Sequence, residues 1–399
     1  MKASTCARGV FIVPREFDNR CGEMKTMCDA IAKAVLASAV VAAAGGGAKA
    51  QTRPAALAMP RYAHIFVIIE ENHSTDEIVP SPAAPNLTRL AQDYGYAWKF
   101  YAERHPSEPN YVAILGGDTF GIKDDDAFWC KPGAKDEACP HAATPGYVDH
   151  TVSAPSLPAQ LTAHRLTWKG YFEDIPTPAS RAWRWPSPDR PVAGKPAALY
   201  AVKHNGFMNF KDVQDDPALA QKIVGFDALA RDLASGDLPN YAQIVPDQCN
   251  DMHGLAAGAN VPPDCVYDAG TKLVARGDAV AGKLAAEIMG SPVWSRPDNS
   301  AIVITFDEND VEHGSTGHGD GCCGSSPGDP DNPGGGWIPT IVITNHGPRA
   351  LTDLTPSNHY SLLRTTEDAF GIGKYLGHAG DTEHRVLDMT SLFYVRPSR

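Results

Sequence analysis

Short apolar runs that empty into charged or polar residues recur along the chain. Residues 65–69 (IFVII) run into Glu70, Glu71 and Asn72, and residues 301–306 (AIVITF) run into Asp307, Glu308, Asn309 and Asp310. Residues 241–245 lead to Asp247, Asn250, Asp251 and His253; residues 199–202 lead to Lys203, His204 and Asn205; residues 338–344 lead to Asn345 and His346. Such runs, rich in Ile and Val and lacking alternation, suit strands covered on both faces, as in parallel sheets. Helical stretches at 85–94, 156–164, 226–235 and 271–289 separate them. This alternation predicts a three-layer α/β/α sandwich with a mostly parallel central sheet. In that architecture ligands sit beyond the carboxyl ends of the strands. The acids and histidines are expected there.

A single acidic exit means little, because strands commonly run out into polar loops. Two exits with adjacent carboxylates say more. Glu71-Asn72 and Asp307-Glu308 would crowd negative charge along one sheet edge, and a divalent cation is the usual remedy. Oxygen ligands plus an amide favour calcium, magnesium or manganese, with zinc admitted if histidine joins. A second feature is the run from His105 to Tyr111 (HPSEPNY), between a strand-like stretch at 96–101 and an apolar one at 111–115. Ser107 reads as a helix N-cap, with Pro109 in the first turn where its missing N–H costs nothing. The same position suits a serine nucleophile facing an anion at the helix start. The two readings are compatible.

Composition narrows the class. The 399 residues are 43% hydrophobic and 21% charged, with a net charge of -12 that argues against nucleic-acid binding through a basic surface. Residues 34–44 form a short run of small apolar residues, preceded by Lys25 and Lys33 and ending near Ala48-Lys49-Ala50. That is the pattern of a secretory signal peptide cleaved before Gln51, with Met24 or Met27 as the expected start. Residues 1–50 are therefore expected to be a leader and 51–399 one catalytic domain. The leader carries seven Lys/Arg and four Asp/Glu, so its removal leaves 28 basic against 43 acidic residues, a net -15. An exported, periplasmic or extracellular protein without stable membrane insertion is expected. Six cysteines remain after cleavage, and export favours disulfides. Cys130 with Cys139 and Cys249 with Cys265 are the simplest local pairs. Cys322 and Cys323 leave a vicinal disulfide, partners elsewhere or a soft metal site open.

Several segments together resemble the phosphoesterase family of bacterial phospholipases C and secreted acid phosphatases, in the alkaline-phosphatase-like superfamily. They are Glu71 to Asp76 (ENHSTD, family pattern ENxSFD), His105 to Tyr111 (HPSxPNY), residues 166–173 (LTWKGYFE), Lys203-His204-Asn205, Asn250-Asp251-Met252-His253, Phe306-Asp307-Glu308 and residues 359–364 (HYSLLR). Thr75 departs from the family's usual aromatic. The resemblance implies an alkaline-phosphatase-like fold and one divalent metal ion held by Glu71, Asn72, Ser107, Asp307 and Glu308. It implies Ser107 as the nucleophile, with His204 and His253 toward the phosphoryl group. His105, Lys203 and His359 are further candidates, while His313 and His318 fall in a Gly-rich insert.

The expected activity is hydrolysis of phosphate monoesters through a phosphorylated Ser107. Phospholipase C or other phosphodiesterase action is the alternative, so the substrate is a phosphorylated small molecule or a phospholipid. A non-catalytic exported protein that captures anions or metals would have lost its nucleophile or ligand set, and neither loss is visible. A sulfatase would need an Arg two residues beyond the Pro, where Tyr111 stands. The leader reading carries its own check: protein recovered from the cell envelope should begin at or near Gln51 by N-terminal mass spectrometry. Finding Met1 or Met24 on the soluble protein would overturn it.

Overall fold

The computed structural model describes residues 58–310, 320–326 and 328–395. The leader, His313 and His318 lie outside these residues. Twelve strands are described: β1 (His64–Glu70), β2 (Gly95–Ala97), β3 (Phe100–Tyr101), β4 (Trp168–Phe172), β5 (Arg184–Trp185), β6 (Tyr200–Ala201), β7 (Ile223–Gly225), β8 (Tyr241–Val245), β9 (Ser300–Phe306), β10 (Thr340–Thr344), β11 (Leu351–Asp353) and β12 (Ser357–Asn358). Eight of them form the central sheet in the order β11-β2-β10-β9-β1-β8-β4-β7. The two central runs behave as their composition requires. Every residue of β1, β8, β9 and β10 is buried, so helices cover both faces of the sheet.

The main helices are α1 (Pro85–Asp93), α2 (Glu108–Gly116), α3 (Leu157–Ala163), α4 (Phe226–Ser235), α5 (Thr271–Gly290) and α6 (His359–Phe370). Helices α1 and α5 pack together and reach β10 and β1, while α2 packs with α3 and α6. The start of α1 has alanine at its N-cap and cannot cap itself. Asp278 of α5 does so instead, accepting from the Asn86 and Leu87 N–H groups at 3.1 and 2.8 Å. No helix among the described residues is long and apolar enough to cross a membrane.

Three local expectations change. Residues 338–344 do form a strand, but β10 is antiparallel to both β9 and β2. Its exit residues therefore lie at the opposite edge, where the Asn345 side chain accepts from Ser300 N–H at 2.9 Å and His346 meets Arg296 O. Residues 199–202 do not enter the central sheet. Tyr200 and Ala201 pair with β5 in a separate hairpin, and a 3-10 turn (Val202–His204) follows at once. The stretch 96–101 breaks into two strands, with β3 pairing β12 rather than continuing β2. The three cysteine pairs are Cys130–Cys139, Cys249–Cys265 and the vicinal Cys322–Cys323.

Just after β3, Glu103 is fully buried and accepts from the His359 N–H at 3.1 Å and the Asn358 amide at 3.3 Å. It thereby joins β12 to the start of α6. Burial pushes its carboxyl from an ordinary value near 4.5 up to about 8. An acid raised in the folded state stabilises below its unfolded value, and that stability is lost as pH climbs through the folded one. The wild type should therefore weaken between about pH 4.5 and 8 through this group, by roughly 5 kcal/mol at most. Glu103→Gln keeps an acceptor and carries no charge. Denaturant melts should find it equal to wild type near pH 5 and more stable at pH 8.5; equal curves at both pH values would refute the assignment.

Candidate active site

The register of the sheet assembles the site. Glu70 lies opposite Phe306 in the parallel β1–β9 pair, so the next residues, Glu71 and Asp307, leave the sheet side by side. Asp307 N–H bonds Glu70 O at 3.1 Å, and Glu71 N–H bonds Asp251 O at 2.7 Å. Asn72 turns the chain with φ 48° and points its N–H at Asp307 Oδ1, 3.2 Å away. Left-handed backbone is tolerated by asparagine better than by most residues. Glu71, Asp307 and Glu308 are all buried.

Ser107 enters this group from α2. It stands at the N-cap position, but its backbone is already helical and its side chain caps nothing. The hydroxyl instead donates to Glu71 Oε2 at 3.1 Å, with Glu308 Oε1 at 3.4 Å. One turn along the same helix, the Tyr111 hydroxyl donates to Glu71 Oε1. His105 pairs with Glu308 through Nδ1. The HPSEPNY run therefore delivers its His, Ser and Tyr to the same carboxylates. Tyr111 was legible as part of that motif, but its role follows from helical spacing, since residues i and i+4 share a face.

The histidines come from loops. The turn after β6 carries Lys203 and His204. His204 is buried, with Nε2 3.2 Å from Glu71 Oε1, Nδ1 3.5 Å from Asp251 Oδ2, and its ring stacked on Tyr111. Burial, Lys203 and His253 hold its imidazole well below the usual range. His253 Nδ1 donates to Gly254 O at 2.8 Å, which leaves Nε2 to accept from the Lys203 ammonium at 3.2 Å. Burial and Lys203 push His253 down to about 3, so it is neutral in the free protein. His359 is placed behind the carboxyl end of β9, its Nε2 3.0 Å from Phe306 O.

A divalent cation fits this donor set on geometry and charge. The Asn72 amide atom facing the carboxylates lies 3.0 Å from Glu71 Oε2 and 3.1 Å from Asp307 Oδ1. The amide nitrogen satisfies both acids when they must be bonded directly, and a half-turn presents the oxygen to a cation. Spacings near 3 Å match neighbouring ligands around an octahedral ion with bonds of about 2.1 Å. Burial, reinforced by the neighbouring Asp307, lifts Glu71 and Glu308 well above the carboxylate range, and burial lifts Asp307 to about 6. Three acids in one dry site cannot all ionise unless a cation joins them. Glu71, His204 and His253 also bring one ligand atom each within 4.8 Å of one another, which keeps a histidine-containing set available on the same edge.

Sequence reading missed Asp125. Its Oδ2 accepts from Lys203 Nζ at 3.0 Å and its Oδ1 from Glu108 N–H at 3.0 Å. It sits in a loop of three consecutive aspartates with no periodic signal, so only the folded chain reveals it.

A sequence model of the Phosphoesterase family matches residues 80–373. The chain is 28% identical to a phosphatidylinositol-3-phosphatase of Mycobacterium tuberculosis over 82% of its own length and 83% of that protein. It is 25% identical to a phosphate-repressible acid phosphatase of Penicillium chrysogenum over 64% of its length, and spans about half (49%) of that relative. A solved protein of the alkaline phosphatase superfamily from Vibrio parahaemolyticus superposes with a TM-score of 0.48 at 13% identity, over 82% of this chain and 72% of that one. With the family match covering most of the chain, and the motif residues meeting at one sheet edge, the protein belongs to the Phosphoesterase family and is a phosphoric ester hydrolase.

Proposed function

We propose that the protein is an exported, metal-dependent phosphatase that cleaves phosphate monoesters through a phosphorylated Ser107. The observation that carries this reading is the Ser107 hydroxyl, held at 3.1 Å from Glu71 and 3.4 Å from Glu308 instead of capping its helix. A serine that only capped a helix would point the other way. When bound, a divalent ion would neutralise the carboxylates, lower the hydroxyl's pKa and offset charge on the phosphoryl oxygens.

The chain's own residues then have definable parts. The Ser107 oxygen attacks phosphorus as its proton leaves toward the adjacent carboxylates. The Ser107–phosphorus bond forms while the ester P–O bond breaks, and the departing alkoxide takes up a proton. Water then cleaves the phosphoserine and releases inorganic phosphate. Lys203 supplies fixed positive charge beside the acids, which is what phosphoryl transfer most requires. Although burial opposes it, Asp125 and Glu71 keep that ammonium above its ordinary value and therefore charged. His204 and His253 line the same edge as neutral donors or acceptors.

Monoester preference is supported by the relatives' printed activities, acid phosphatases and a phosphatase acting on a phosphoinositide monophosphate. Phosphodiester or phospholipase C action is the competing reading, and a substrate panel decides it. p-Nitrophenyl phosphate and phosphatidylinositol 3-phosphate should be turned over much faster than bis-p-nitrophenyl phosphate or phosphatidylcholine.

Two substitutions separate nucleophile from metal set. Ser107→Ala should lose turnover by several orders of magnitude yet still copurify with metal. Asp307→Asn should lose metal and activity together, with partial recovery in excess cation. Near-native turnover by Ser107→Ala would reject the covalent route.

A further inference from the structure

Helix α2 begins at a residue that has given up its capping duty, so the first free N–H groups of the helix need an acceptor from elsewhere. Asp125 supplies it: Oδ1 accepts from Glu108 N–H at 3.0 Å, while Oδ2 accepts from Lys203 Nζ at 3.0 Å. A single carboxylate thus spans the base of the Ser107 helix and the Lys203 ammonium beside the acids. Lys203 in turn reaches His253 Nε2 at 3.2 Å.

The carboxylate is itself held in place from both neighbours. Asp124 Oδ1 accepts from Asp126 N–H at 3.1 Å and lies 3.2 Å from His150 Nε2. His150 is fully buried and its other nitrogen meets Glu108 Oε1 at 2.9 Å. Burial works against a charge on His150, but Asp124 and Glu108 outweigh it and raise the imidazole to about 10. On the other side, Asp126 accepts from His141 N–H at 3.1 Å and meets His141 Nδ1 at 2.8 Å. His141 follows two residues after the loop closed by Cys130–Cys139, and His150 N–H bonds Cys130 O at 3.1 Å. Three successive aspartates therefore make three different anchors. Only the middle one touches both the nucleophile's helix and Lys203.

We infer that Asp125 is a positioning residue for the phosphoryl-transfer site, fixing Lys203 at its working position relative to Ser107. A freed lysine would be drawn toward Glu71 and Glu308, whose charge competes with Asp125 for it. The inference rests on the reading of Ser107 and Lys203 as phosphate-facing groups.

A double-mutant cycle on the full-length, metal-loaded protein tests it. Asp125→Asn keeps an oxygen for Glu108 N–H but loses the charge that holds Lys203. It should lower kcat/KM for p-nitrophenyl phosphate about tenfold or more and weaken inhibition by inorganic phosphate, with melting temperature and bound metal unchanged. In a Lys203→Met background the same substitution should cost less than about twofold, because its target is gone. Equal losses in both backgrounds would show that Asp125 acts only through the helix, and no loss in the wild-type background would also overturn the inference. Calorimetric binding of inorganic phosphate to the four proteins gives the same cycle without turnover. An active Ser107→Ala would sink the nucleophile reading separately, leaving that binding cycle to judge Asp125.

Discussion

Burying like charges is the constraint around which this molecule is arranged. The parallel pairing of β1 with β9 leaves no freedom in where Glu71 and Asp307 emerge, and Glu308 follows immediately. Desolvated carboxylates at hydrogen-bonding distance repel strongly, and each must find a proton, a donor or a cation. The surrounding residues supply what they can. Ser107, Tyr111, His105 and the Asn72 backbone all direct donors at these oxygens. Lys203 adds a positive charge close by, and it is shared with Asp125. One lysine does not balance three ionised acids, which is why this donor set fits a divalent cation.

The helix starts obey the same economy of donors. In most helices a serine at the N-cap satisfies its own chain's free N–H groups. Ser156 does so for α3, accepting from Ala159 N–H at 3.3 Å. At α1 and α2 the acceptor arrives from a distant segment, Asp278 in one case and Asp125 in the other. Capping from a distance makes the helix start depend on tertiary structure. It also frees the local side chain for other work, and at α2 that side chain is Ser107.

Much of this was legible in the sequence because burial and chemistry left local marks. The strands β1, β8 and β9 read directly from unbroken Ile/Val-rich runs, and α4 from its periodicity, since each element's environment is uniform along its length. The motif around Ser107 foretold a helix start with Pro109 in its first turn. Direction was not legible: β10 looks like a buried parallel strand, and its composition cannot show that it runs the other way. Residues 199–202 misled for a related reason, since Tyr200 and Ala201 form one strand of a separate hairpin instead of joining the sheet. The side-chain partnerships of Tyr111 and Asp125 join residues tens of positions apart, and nothing local encodes such pairings.

The reversal of β10 has a consequence for how this scaffold can change. A crossover between parallel neighbours must travel the full length of the sheet and return, which fixes a minimum length and usually a helix. The connection from β9 to β10 has no such obligation, because it leaves and rejoins the sheet at the edge where Glu71 and Ser107 meet. Lengthening a flexible loop costs only about 0.6 kcal/mol per doubling. Residues added in that connection need not disturb strand register, and each such addition is made near the edge where Glu71 and Ser107 meet.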